Sequence, residues 1–428
     1  MSKQLSPLAQ KLNVVLGDAL LPMFSERGKR GFFPSTGILG QSAEAKGSAI
    51  NATIGMAFEE DGSPLCLECV EDSVNLPPTA FLYAPSFGLP ELRKAWAEGM
   101  VRKNPSLAGK AFSVPVVTCA LTHGLFVAGH LFLDEGDEVV LPDLYWDNYE
   151  LIFEESFGAS MVKFPMFTEA GAFNAEGMER LLMGGGGKKV VVLNFPNNPT
   201  GYTATVADEA AICAALSRAA GAGKKIVVVL DDAYFGLVYE PGVSTESMFG
   251  KLMELHENIL VVKLDGPTKE DYVWGARVGF MTFGAKGSTA EQREALVAKA
   301  AGAVRGTISN VSSIGQNLLL RAYASEGYVK QKQEKYDILK RRYDRIKAIF
   351  CEHPEYAESF VALPFNSGYF MCVRPVGVDP EALRRHLLGK GVGVIVLSGL
   401  IRIAFATVPY DKLDALFATI HAAVQEIK

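Results

Sequence analysis

Between residues 188 and 285 the chain repeats one pattern: a short apolar run, then polar or glycine punctuation. "KKVVVLNF" (188–195), "KKIVVVLDDAYF" (224–235), "ENILVVKLD" (257–265) and "ARVGFMTFG" (276–284) are near-continuous in apolar residues, which predicts strands buried on both faces. Between the first two, "VADEAAICAALSRAAGAG" (206–223) predicts a helix that stops at glycines. Strand and helix in alternation imply an α/β sheet covered on both sides, with its ligands at the carboxyl ends of the strands.

From about residue 311 the texture changes. "SSIGQNLLLRAYASEGYVKQKQEKYDILKRRYDRIKAIF" (312–350) is long and charged and predicts one helical connector between lobes. Beyond it lie the strand "SGYFMCVRP" (367–375), the helix "DPEALRRHLLGKG" with an Asp-Pro start and glycine stop, and a strand through "LIRIAFATV" (400–408). Leu413, Leu416, Phe417, Ile420 and Val424 fall on one face of a final helix. This segment predicts a smaller α+β lobe. A length of 428 residues agrees, being too long for one ordinary core.

Composition narrows the functions. A hydrophobic content of 49% with 21% charged residues suits a well-packed soluble chain, and a net charge of −6 leaves no basic footprint for nucleic acid. The start "MSKQLSPLAQKLN" lacks the pattern of a signal peptide, and no apolar run approaches membrane-spanning length, so the expected setting is the cytoplasm with no membrane partner. Six cysteines scattered in apolar surroundings read as reduced thiols. Cys66 and Cys69 make a lone CxxC without a second pair or a nearby His, so no metal site is expected. The glycine run "MGGGGKK" (183–189) reads as a surface turn rather than a phosphate cradle, because no helix follows it.

The chemistry gathers at the strand ends. "NFPNNPTG" (194–201) follows a buried strand directly, and its prolines force a fixed extended turn that holds amide side chains in place. Asp231 and Asp232 end the next strand, where a buried carboxylate needs a cation or a protonated nitrogen. Lys269 lies in a Gly/Pro/Thr turn after the third strand, eight residues before Arg277. Arg402 sits among apolar residues of a strand, where a guanidinium needs a carboxylate.

Together these residues carry a resemblance. "NNPTG", the D-x-A-Y of 231–234, and Lys269 followed by Arg277-x-Gly279 look like the fold-type I pyridoxal-phosphate aminotransferases of class I/II. "FLYAPSFGLPELRKAW" (81–96), "LYWDNY" (144–149) and "VRGTISNVSSIG" (304–315) are similar to further segments of that family, the last to its aspartate/aromatic branch. The resemblance spans roughly residues 50–405. It implies a large domain (53–324) with a mostly parallel seven-stranded sheet flanked by helices, and a small α+β domain built from both chain ends (1–52 and 325–428).

The same resemblance implies the site. Lys269 carries the Schiff base with pyridoxal phosphate and, as a free amine, shuttles a proton. Asp231 partners the ring nitrogen, while Tyr234 and Asn198 hold the phenolic oxygen. Arg277, Thr268 and the turn at Leu121 and Thr122 serve the phosphate, and Trp146 stacks on the ring. Tyr83 reaches the phosphate of the neighbouring subunit of a homodimer. Arg402 takes the substrate α-carboxylate with Asn198, and Arg305 matches the position that takes a distal carboxylate across the dimer interface. The expected activity is transfer of an amino group from an L-amino acid, dicarboxylic or aromatic favoured, to a 2-oxo acid. A β/γ-lyase on the same fold and a non-enzymatic effector-binding module are the alternatives. The sequence departs from the family at Gly266, where a hydroxyl residue is usual, at Pro267, and in the Ala120-Leu121-Thr122 turn, which lacks the customary Ser-Gly pair. Side-chain selectivity is expected to depend on the loop "STGILG" (35–40). Lys263, within a predicted strand, is a fallback Schiff-base candidate.

Overall fold

The computed structural model describes residues 5–35 and 37–428; the first four residues and Thr36, within the "STGILG" loop, lie outside the described residues. Among the described residues the largest sheet has seven strands: β1 (Val116–Thr118), β2 (Glu138–Pro142), β3 (Ser160–Phe164), β4 (Lys188–Asn194), β5 (Lys225–Asp231), β6 (Ile259–Asp265) and β7 (Gly279–Ala285). Their spatial order is β1-β7-β6-β5-β4-β2-β3, and β7 alone runs antiparallel to its neighbours.

The apolar runs are explained by burial on two faces. In β4, Val190 and Val192 join one hydrophobic cluster while Val191 and Leu193 join the other, and β5 and β6 alternate in the same way. Register then fixes the strand ends side by side: Asn194 lies opposite Asp231, and Asp231 opposite Leu264. That alignment brings the polar termini of β4, β5 and β6 to one edge.

Helices cover both faces. Helix α1 (Ile38–Glu44) precedes the sheet, α2 (Pro90–Lys103) and α3 (Ala120–Phe132) follow, and α4 (Val206–Gly221) crosses from β4 to β5. A reciprocal capping box starts α4: the Thr205 hydroxyl accepts from the Asp208 N–H, and the Asp208 carboxylate accepts from the Thr205 N–H. The one-turn helix α5 (Pro267–Glu270) carries Lys269, and α6 (Ala290–Thr307) carries Arg305 near its end.

The connector expected over 312–350 is two helices, α7 (Ser313–Tyr323) and α8 (Tyr328–Glu352). The chain turns at Ala324-Ser325-Glu326-Gly327, where the Ser325 and Tyr328 N–H groups donate to the Ala322 and Ser325 carbonyls instead of continuing the helical ladder. A second sheet of four strands, β8 (Phe360–Ala362), β9 (Met371–Pro375), β10 (Ile395–Leu397) and β11 (Leu400–Ile403), is antiparallel and is backed by α9 (Leu413–Ile427). The strand expected through 408 ends at Ile403, and a 3-10 turn follows at Phe405–Thr407. Ile50–Asn51 pairs in parallel with Val392–Gly393, tying the early chain to the C-terminal segment.

The glycine run is a turn, and it faces a cation. Lys224 Nζ donates to the carbonyls of Gly184, Gly185 and Gly186 at 3.1–3.2 Å.

Candidate active site

At the polar edge of the sheet a cavity of about 350 Å³ is lined by Asn198, Asp231, Tyr234, Thr268, Lys269 and Arg277. Leu121, Thr122, Trp146 and Arg402 also border it, so ten residues singled out from the sequence converge on one space.

The turn after β4 explains its own composition. Asn194 Nδ2 donates to the Asp231 carbonyl at 2.8 Å, and Asn194 Oδ1 accepts from the Asn198 N–H at 2.8 Å. Asn197 Oδ1 accepts from both the N–H and the hydroxyl of Thr200. Gly201 adopts φ +69°, and a Cβ there would lie 1.8 Å from the Phe370 carbonyl oxygen. The turn is thus seated against the C-terminal segment, and Asn198 Oδ1 accepts from Arg402 Nη1 at 3.2 Å.

Asp231 is buried, accepts from the Tyr149 hydroxyl at 2.6 Å and from the Ala233 N–H, and is pushed up to about 6, chiefly by burial. Burial pushes the Lys269 amine down to about 8, the nearby Asp231 opposing the shift and Arg277 adding to it. The Lys269 ammonium lies 5.1 Å from the Tyr234 ring centroid, and the Tyr369 hydroxyl holds the Lys269 carbonyl at 2.9 Å. Arg402 donates from Nη2 to the Thr53 carbonyl at 2.8 Å and lies 4.6 Å over the Phe370 ring. Its hydrogen bonds go to a carbonyl and an amide oxygen, not to a carboxylate.

One departure noted in the sequence has a steric origin. A Cβ at Gly266 would come within 3.0 Å of Gly279 Cα and 3.1 Å of the Val278 carbonyl, so a hydroxyl residue is sterically disfavoured there. The adjacent buried hydroxyl is Thr268 Oγ1, which has no hydrogen-bond partner among the described residues. Helix α3 opens at Ala120 in the left-handed region (φ +56°), with Gly279 packed so closely beneath that a Cβ on it would lie 2.7 Å from the Ala120 carbonyl carbon.

Lys263 does not line this cavity. Its ammonium is buried between Asp232 Oδ2 at 2.5 Å and Asp265 Oδ2 at 2.9 Å, so Asp232 meets its cation there and Asp231 is left to the cavity. Tyr83 and Arg305 also lie away from the cavity in this chain: Tyr83 is 93% exposed, and Arg305 donates to Ser309 Oγ at 2.7 Å.

Several lining or supporting residues were not singled out from the sequence. Tyr149 belonged to a segment already noted for Trp146, and Asn194 to the proline turn; both lie beside residues that were singled out. Ile38 and Leu39 belong to the loop 35–40 expected to bear on selectivity, whereas Thr53 and Phe370 carry no local signal, because only the tertiary fold brings them to the sheet edge.

Residues 60–420 match the family described as aminotransferase class I and II. The chain is 38% identical over 122 residues to a probable aspartate/prephenate aminotransferase of Aquifex aeolicus, covering 28% of this chain and 29% of that protein. It is 28% identical over 353 residues to the aspartate/prephenate aminotransferase of Thermus thermophilus, covering 78% of this chain and 81% of the relative. A solved aminotransferase from Anaerococcus prevotii superposes with a TM-score of 0.82 over 94% of this chain and 99% of its own, at 24% identity, a likeness of fold.

Proposed function

The chain belongs to the class I and II aminotransferases, a pyridoxal-phosphate-dependent family, and from that premise we propose that it moves an amino group from an L-amino acid to a 2-oxo acid at the cavity around Lys269. The observation that carries this reading is a lysine amine held down to about 8 beside a buried carboxylate, with a buried guanidinium in the same cavity.

The residues present fit the cofactor. Thr268 Oγ1 and Arg402 Nε are buried without hydrogen-bond partners among the described residues, and glycines at 266 and 279 keep the space beside Leu121 free of a Cβ. When bound, pyridoxal phosphate supplies an electron sink that works best with its ring nitrogen protonated.

Asp231 would keep a proton on that nitrogen, and Tyr149 orients Asp231 by donating to Oδ2. Tyr234 and Asn198 would hold the phenolic oxygen, and Trp146 would cover the ring face. Arg277, Thr268 and the first turn of α3 at Leu121 and Thr122 hold the phosphate, where N–H groups at a helix start suit an anion. Arg402, which has no carboxylate among its hydrogen-bond partners, takes the substrate α-carboxylate together with Asn198. Lys269 Nζ would hold the cofactor and, as a free amine, would move the proton at the substrate α-carbon.

Dicarboxylic and aromatic amino acids are the proposed substrates. Ile38, Leu39, Ile54 and Phe370 form an apolar wall suited to a ring, and a distal carboxylate is left to Arg305 of a second copy. The copies form a homodimer with shared sites, supported by exposed Val74, Phe81, Leu82 and Tyr83 along one stretch of chain. The division into a large domain (53–324) and a small one (1–52 and 325–428) is proposed on the two sheets and on the pairing of Ile50–Asn51 with Val392–Gly393. Six free cysteines support a cytoplasmic setting, and among the described residues no helix is long and apolar enough to cross a membrane.

The test is the absorbance of the protein loaded with pyridoxal phosphate. L-Glutamate is expected to replace the long-wavelength band by a shorter one, a 2-oxo acid to restore it, and Lys269→Ala to slow turnover at least about 100-fold. Release of ammonia with no need of a 2-oxo acid would overturn the proposal.

A further inference from the structure

A second cavity, of about 920 Å³, lies between α2, the α7–α8 turn and the segment following β5. It shares no lining residue with the cavity around Lys269 and is more than twice its volume. Its walls are aromatic: Trp96 from α2, Tyr323 at the end of α7, and Tyr328 and Tyr336 from α8. Trp96 and Tyr323 lie with ring centroids 6.1 Å apart, and Tyr323 and Tyr328 5.1 Å apart in an edge-on contact, so the rings pack as one aromatic cluster along the wall.

The charges on this surface do not cancel. Lys103 pairs with Glu270 at 2.7 Å, and Lys332 pairs with Glu270 at 2.6 Å and with Asp271 at 2.9 Å, so two lysines are balanced by two acids. The acid lining the cavity itself, Glu98, lies 3.9 Å from the ammonium of Lys94. Arg102, exposed at the rim, has no acid or other hydrogen-bond acceptor among the described residues. One positive charge is therefore left over beside a wall of rings. The volume falls in the range of small-molecule sites, roughly 300–1,000 Å³.

We propose that this cavity is a second ligand site that takes a small aromatic monocarboxylate, its ring against Trp96, Tyr323 and Tyr328 and its carboxylate on the Arg102 guanidinium. A planar acid satisfies both features at once, the ring burying apolar surface and the carboxylate matching the fork of the guanidinium. The site adjoins the catalytic turn through the chain itself, because Lys103 and Lys332 hold Glu270, the residue after Lys269.

The probe is indole-3-acetate, which has neither an amino nor an oxo group on its α-carbon and so is no aminotransferase substrate. Its binding to the cofactor-loaded protein is read by calorimetry, without turnover, so the result is independent of the proposed reaction. Saturable binding is expected, weakened at least about tenfold by Arg102→Gln. Gly99→Leu, which fills the cavity from α2, is expected to abolish it; a Cβ at Gly99 meets just the flexible Arg102 Nη2 at 3.6 Å, so the fold accepts the change. Arg402→Leu controls for the other cavity and is expected to leave this binding intact. Binding that disappears in Arg402→Leu but survives Arg102→Gln and Gly99→Leu would overturn the proposal, as would the absence of saturable binding at millimolar probe.

Discussion

Lys269 and Asp231 illustrate what burial does to single groups. Both are shifted toward neutrality, the amine down to about 8 and the acid up to about 6, because the charged form loses its water in each case. Only an unprotonated amine attacks an aldehyde. Capture of pyridoxal phosphate by the cofactor-free protein is therefore expected to speed up about tenfold per pH unit below pH 8 and to level off above it. Since Arg277 helps to lower the amine, Arg277→Gln is expected to move that break to higher pH, and stopped-flow absorbance across pH 6–10 reads both. A rate that does not change between pH 6 and 8 would contradict this account. At this scale the sequence was legible where spacing carried the signal: Lys269 and Arg277 stand eight apart and both reach the cavity. It was ambiguous for Lys263, whose partner Asp232 becomes visible only when β5 and β6 are laid side by side, although Asp265 follows it two residues on in the same strand.

The element that decides the site's geometry is the turn between β4 and α4. It spans the distance from the sheet to the C-terminal segment: Asn194 ties it to β5, while the Asn366 and Ser367 N–H groups donate to the Gly201 carbonyl at 3.0 and 2.9 Å. Gly201→Ala is expected to destabilise the fold by about 3 kcal/mol or more, since it adds left-handed strain to a backbone collision. The urea midpoint reads the loss, and an unchanged midpoint would refute the proposed fit. A milder effect, about 1 kcal/mol, is expected of Thr205→Ala, which removes one half of the capping box. The sequence marked this turn by its prolines and asparagines, but hid the break between α7 and α8. Helical texture resumes directly after Ala324-Ser325-Glu326-Gly327, so Ser325 and Gly327 were the local marks of a break that the helical run on either side concealed.

At the scale of the whole molecule, the proposed homodimer with shared sites makes a prediction of its own. Tyr83 and Arg305 lie outside the cavity of their own chain, and Tyr83 stands in an exposed apolar stretch. If they serve a neighbour, inactive subunits complement one another. Mixing Lys269→Ala with Tyr83→Ala protein and allowing exchange is expected to restore about a quarter of wild-type activity, since half of the random dimers are mixed and each mixed dimer holds one intact site. Activity that stays at the level of the separate variants would show that each chain works alone.

Periodicity within the sequence determined the α/β architecture and the strand ends as the seat of chemistry, while motif resemblance pointed to the set Lys269, Asp231, Asn198, Tyr234 and Arg402, which the fold gathers around one cavity. These are local properties: a buried strand must be apolar throughout, and a polar cluster at its end announces itself. Tertiary structure alone decided which acid faces the cavity and which meets Lys263, why residue 266 is glycine, and that Trp96 and the tyrosines of α7 and α8 enclose a second cavity. Each of these depends on contacts between segments far apart in the chain, where distance and desolvation, not neighbouring residues, set the outcome.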